Sequence, residues 1–144
     1  MTTTKTSTNL ILSGSCLFAG GSIYVIFRPL TLNMFRWFDA FGISSLINKY
    51  RESLSYVSLN DFVLYSLPDG LWITSYLFIV NTIIPSKHKK ELLFWILSLP
   101  MISVLSEFMQ YYNFIQGRFD IYDVDSYILP LIINLIILKY EKVI

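Results

Sequence analysis

The chain has 144 residues, 54% of them hydrophobic and only 15% charged, with a net charge of +1. A soluble domain carries about 25% charged residues, so this composition, with a mean hydropathy of +0.55, excludes an ordinary water-soluble core and makes the bilayer the expected solvent. Near-neutrality excludes whole-chain attraction to nucleic acid, and the single Cys16 excludes an intrachain disulfide.

Residues 1–9 are polar and Thr-rich and read as a tail that frays. Residues 10–27 form the first apolar run, just long enough for a hydrocarbon core of ~30 Å. A cleaved signal peptide is the rival reading. No A-x-A-type site follows, and the run continues past Gly20-Gly21 into Ile23, Val25 and Ile26, so an uncleaved span is expected. Gly14, Ser15, Ala19, Gly20 and Ser22 suit close helix contact.

Residues 31–60 differ. Arg36, Asp39, Lys49, Arg51 and Glu52 lie among Phe35, Trp37, Phe38, Phe41 and Tyr50, and no uncharged stretch is long enough to span. The mixture predicts one or two amphipathic helices at the membrane interface, divided at Gly42, with Phe35, Trp37, Phe38 and Phe41 against the bilayer. A soluble cap on the helix ends is the alternative.

A second span is expected to open at Ser66 as N-cap, with Pro68 in the first turn and Asp69 at the capping-box position. Lys87, His88, Lys89 and Lys90 then make a tight basic loop. A third span contains Pro100, which membrane helices tolerate with a bend. A fourth follows, with Pro130 near its start. The expected architecture is an all-α, single-domain, four-helix transmembrane bundle with spans near 9–28, 66–85, 91–114 and 124–140. Lys5, the basic loop and the C-terminal lysines then share one face, and Arg28, Arg36, Lys49, Arg51 and Arg118 share the other. The tight lysine loop is given more weight, which places both termini in the cytoplasm.

Polar chemistry concentrates in residues 107–125. Glu107 and Gln110 lie three apart and share a helix face. A carboxylate inside a span faces the bundle interior, a partner or water. With the third helix ending at Phe114, Glu107 sits seven residues from the rim, roughly 10 Å deep, and is expected to pair with Arg118. Meeting water near the interface is the blander reading. Arg118 suits either an anion clamp or a fixed partner for Glu107, Asp120 or Asp123. Asp120, Asp123 and Asp125 would suit a hard cation, but Asp123 as the cap of the fourth helix is favoured. Asp69 has the same capping alternative. The candidate ligand-binding set is Glu107, Gln110, Arg118, Asp120, Asp123 and Asp69, with no metal and no cofactor expected. His88 reads as a solvated loop residue, and no nucleophile triad, zinc spacing or phosphate-cradling glycine loop is present.

These residues resemble the VanZ-like family of small bacterial polytopic membrane proteins. The resemblance lies in Glu107 and Gln110 as E-x-x-Q, then Gly117-Arg118, then Asp120 and Asp123 opening the last helix. Tyr127 stands where the family pattern has an asparagine, and the glycines that trail it there are absent. The resemblance implies a multi-pass protein of the bacterial inner membrane and a location for its site, not a reaction. Two main readings follow, with a third beside them. One is a binding protein whose charged pocket takes a polar head group or cell-envelope precursor. The other is an accessory subunit that meets a membrane protein partner. A carboxylate- or metal-dependent enzyme is the third.

Overall fold

The computed structural model describes residues 2–141 and 143, with side chains from residue 6 onward. Six α-helices follow in order: α1 (Thr2–Phe27), α2 (Asn33–Ala40), α3 (Ser44–Ser53), α4 (Leu67–Ile83), α5 (Lys89–Tyr111) and α6 (Ile121–Tyr140). A π-helical turn, Phe62–Ser66, leads into α4, and no strand occurs among the described residues. Four stretches are long and apolar enough to cross a membrane: Thr6–Phe27, Phe62–Ile83, Lys89–Tyr111 and Ile121–Tyr140.

α4 is the hub, packing on α1, α5 and α6. Its Ile73 and Leu77 meet Leu92 and Ile96 of α5 and Tyr127 and Leu131 of α6 in one apolar core. On the α1 side, Gly20 lets the backbones close: a Cβ there would stand 2.8 Å from Trp72 Nε1. Ser13 and Ser75 hydroxyls share a buried hydrogen bond of 2.9 Å, the kind of interhelical tie that polar side chains make in lipid. Tyr76 Oη donates to Trp95 O at 2.6 Å and joins α4 to α5. Thr6, Asn9, Pro85, Ser86, Glu141 and Val143 line one cavity of about 410 Å³, so the start of α1, the α4–α5 turn and the end of α6 share one end of the bundle. The side chain of Lys5 and all of Lys142, which entered the charge count, lie outside the described residues.

Helix ends differ from the sequence reading at four places. The tail expected to fray is helical from Thr2. The second membrane-length helix opens before Ser66, where Asn60 Oδ1 accepts from Val63 N at 2.9 Å, and Ser66 makes no side-chain cap. The π turn is what makes this continuity work: Leu67 N–H reaches back to Phe62 O, widening the helix just before Pro68, whose ring would crowd a regular turn. α5 stops at Tyr111 rather than Phe114. Asn113 takes a left-handed φ of 59°, Phe114 N–H bonds Met109 O and Asn113 N–H bonds Gln110 O, both at 2.9 Å. That pair of bonds is a Schellman stop, with asparagine supplying the left-handed residue. α6 starts at Ile121 with Asp120, not Asp123, as its cap: Asp120 Oδ1 accepts Tyr122 N–H at 2.9 Å.

The segment between the first two spans holds α2 and α3, and Gly42 divides them at φ 70°, closing α2 with the same Schellman bonds. Arg51 of α3 ties it down. Its Nη1 donates to Val25 O at 2.5 Å and its Nη2 to Arg28 O at 2.9 Å, satisfying carbonyls that the end of α1 leaves without helical partners. The guanidinium also stands 5.2 Å above the Phe35 ring. Phe35 is therefore buried and does not belong to the outward aromatic set, whereas Trp37 and Phe41 are largely exposed.

Candidate functional site

Glu107 is 3% exposed although it lies only four residues before the end of α5. That is about 6 Å of helix rise, less depth than the sequence reading supposed. Burial comes instead from the 112–120 loop, which folds back over the helix end. Phe119 packs edge-on against Tyr111 with ring centroids 5.3 Å apart. Gly117, at φ 146°, crosses directly over Gln110, and any Cβ there would collide with the Gln110 side chain. Glycine suits that φ, and a Cβ would push the Gln110 side chain aside.

Under this loop Glu107 is held by neutral donors. Asp120 N–H reaches Oε2 at 3.3 Å and Gln110 Nε2 reaches Oε1 at 3.2 Å. The expected pairing with Arg118 is not formed: Arg118 is exposed, and among the described residues no ion pair joins it to Glu107. The loop presents its backbone to the carboxylate and its arginine outward.

α4 and α6 bring the remaining acids. Because the helix leading into α4 starts well upstream, Asp69 is not needed as a cap and stands inside the bundle, accepting from Tyr127 Oη at 3.3 Å. Because Asp120 caps α6, Asp123 is equally free of that duty, and its Oδ1 is buried with no hydrogen-bond partner. Asp69, Glu107 and Asp123 lie within one another's electrostatic field, and Tyr127 lies within the field of all three. Asp125 is exposed. Among the described residues no three His, Cys, Asp or Glu side chains are grouped to hold a metal ion.

One cation reaches this cluster, and the sequence reading did not single it out. Arg28, just past α1, lies within the electrostatic field of Asp69. Its guanidinium is stacked between Tyr24 and Tyr65 at 4.9 Å and 4.5 Å from the ring centroids. Its Nη2 donates to Tyr65 O at 3.4 Å, while its Nε is buried without a partner. The i, i+4 spacing of Tyr24 and Arg28 was a readable signal for the stacking, but nothing local links Arg28 to Asp69.

No protein-family model, curated protein or solved structure matches this chain. The site is thus described by its own geometry: three carboxyls and a phenol among α4, α5 and α6, a glycine-hinged loop over them, and one stacked arginine beside them. The apolar groove of about 300 Å³ between α4 and α6, lined by Leu67, Gly70, Thr74, Phe78, Leu129 and Ile133, contains none of these charged groups.

Proposed function

We propose that this chain is an integral membrane binding protein whose charged pocket takes a polar head group or cell-envelope precursor at one face of the bilayer. The observation that carries this is the freedom of the acids. Asp69 and Asp123 have no capping duty, and Glu107 is satisfied by neutral donors, yet all three are gathered at one end of a low-dielectric bundle. Ionisable groups at membrane depth are costly, and they mark sites. The resemblance to the VanZ-like family rests partly on the same residues and carries the finer reading of a bacterial inner membrane, while the tight lysine loop carries that of cytoplasmic termini. In this reading α2 and α3 lie in the interface, with Trp37, Phe41 and Tyr50 toward the head groups.

The test is lipid retention. The full-length protein, in detergent, is offered an equimolar mixture of phosphatidylethanolamine, phosphatidylglycerol, phosphatidylcholine and a polyprenyl phosphate, and occupancy is read by native mass spectrometry. Glu107→Gln keeps an acceptor for the Asp120 N–H, so its melting temperature should stay close to wild type while occupancy falls about tenfold. Unchanged occupancy of every component would sink the binding reading.

An accessory subunit is the second reading, and one observation favours it. α1 leaves Phe18 78% exposed, with open space beside Gly14 and Gly21, on a groove completed by Ile47 and Tyr50 of α3.

A further inference from the structure

α4 and α6 touch twice and part in between. Near the acids a Cβ on Gly70 would stand 3.1 Å from Ser126 O. Further along, Asn81 Nδ2 donates to Asn134 Oδ1 at 2.6 Å. The apolar groove of about 300 Å³ runs between these contacts, with Leu67, Thr74 and Phe78 on the α4 side and Pro130 and Ile133 on the α6 side. Leu129, Ile133 and Ile137 of its wall are exposed, so it opens sideways to the hydrocarbon around a spanning bundle. Leu67 and Phe78 are eleven residues apart, roughly 16 Å of helix. That is about half of a ~30 Å hydrocarbon core, the length of one lipid chain.

At the amide end the groove meets the cavity of about 410 Å³, with which it shares Phe78, Asn134 and Ile137. An apolar slot and a polar chamber therefore join at one side chain. Asn134 belongs to both linings and is 9% exposed, yet its Nδ2 has no hydrogen-bond partner. Asn81, in the same chamber, keeps its Oδ1 buried and equally unmatched. Buried polar atoms are normally paired, and the terminal torsion of an asparagine is soft enough to turn either atom toward an arriving group. Asn81 lies two residues before α4 ends at Ile83, about 3 Å of helix rise, so the pair sits where hydrocarbon gives way to the polar interface.

We infer that this joined space is a binding site for an uncharged, hydroxyl-headed acyl lipid, its chain in the α4–α6 groove and its hydroxyl on Asn81 and Asn134. The amides leave one donor and one acceptor unmatched, and a hydroxyl both accepts and donates through a single oxygen. A carboxylate would accept from Asn134 Nδ2 but oppose Asn81 Oδ1, and an ammonium would do the reverse. Among the described residues no Lys, Arg or His lines the chamber to select a phosphate. Asp69 and Asn81 are twelve residues apart in α4, roughly 18 Å, so this site is separate from the acids and independent of the head-group reading above.

The experiment holds the full-length protein in lauryldimethylamine oxide, a detergent without a hydroxyl, and reads binding by native mass spectrometry. The ligands share one saturated chain: hexadecanol, monopalmitoylglycerol, palmitate and hexadecylamine, with free glycerol beside them. The two hydroxyl-headed ligands should bind about tenfold more tightly than palmitate and hexadecylamine. Replacing Asn81 and Asn134 together by leucine should erase that preference, with melting temperature as the control for folding. Asn134→Asp covers the case in which the double variant fails to fold. It keeps an acceptor for Asn81 Nδ2, removes the free donor, and should move the preference to hexadecylamine. Thr74→Phe fills the groove and should weaken every chain alike. Equal binding of all head groups overturns the inference, and so does a hydroxyl preference that survives the asparagine variants. Chain binding untouched by Thr74→Phe overturns the groove assignment, and free glycerol binding as tightly as monopalmitoylglycerol overturns the lipid assignment. Within a positive result, tighter binding of monopalmitoylglycerol than of hexadecanol assigns an acylglycerol, and equality assigns a long-chain alcohol.

Discussion

The two ends of the bundle solve the same problem with different chemistry. At the end that holds the start of α1 and the end of α6, α4 and α6 are joined by neutral amides: Asn81 Nδ2 donates to Asn134 Oδ1 at 2.6 Å. At the opposite end the same two helices bring Asp69 and Tyr127 together at 3.3 Å, with Asp123 and Glu107 alongside. That neutral pair desolvates no charge, but it leaves Asn81 Oδ1 and Asn134 Nδ2 buried without partners. A cluster of like charges is a poor tie, because each carboxylate is desolvated and repelled by its neighbours. Both ends keep buried polar atoms without partners, and what separates them is charge: neutral amides at one end, carboxyl groups at the other.

The comparison breaks most visibly at the loop that covers the acids. Gly117→Ala should cost about 1–2 kcal/mol through its positive φ, with the Gln110 side chain swinging aside to admit the methyl group. Chemical unfolding in mixed micelles would measure it, and the Asp120 amide that caps Glu107 should lose hydrogen-exchange protection first. A neutral outcome would mean the loop does not need to pass this close to α5.

Asp69→Asn sharpens the contrast. If the acids serve a ligand, removing one charge should leave the fold equally stable or more stable, by about 1 kcal/mol, while lipid binding falls. Thermal unfolding without added lipid reads this directly. Clear destabilisation would place Asp69 in the structural framework, alongside the asparagines.

The smallest effect is expected at the amide end. Replacing Asn81 and Asn134 together by leucine removes both partners at once, and such paired replacements change stability by only about 0.5 kcal/mol. Either single replacement should cost more, because it strands the remaining amide. A large loss in the double variant would show that the amide pair specifies the helix register.

How much of this was legible in the sequence depends on whether the signal was local. Four apolar runs announced four spanning-length helices, and Glu107 with Gln110 announced one helix face. Gly42 and Gly117 were readable as breaks because each needs a φ that other residues avoid. Helix ends were harder. Asp120 and Asp123 are both good caps, Ser66 and Asn60 both good starts, and Asn113 a quieter stop signal than glycine. Asp69 and Asp123 stood in the candidate set with capping as the competing reading, and only the observed helix starts free them from it. Arg28 and Arg51 were illegible as a pair because their roles arise only when α3 folds back onto the end of α1, 23 residues apart in sequence.

The widened turn before α4 also sets a phase. A regular helix advances about 100° per residue, and the π turn accommodates one residue more than a regular turn does between the approach to α4 and α4 itself. α4 is locked in rotation by its contacts with α1, α5 and α6, so the extra residue governs how the preceding chain is aimed. Tyr65 lies within that turn and forms one wall of the Arg28 stack. Deleting a single residue from Phe62–Ser66 would leave every apolar position of α4 in place and turn the approach to it by about 100°. The bundle would close as before, and the arginine would lose one of the two rings it contacts. The phase of five residues thus decides whether Tyr65 meets Arg28 at all.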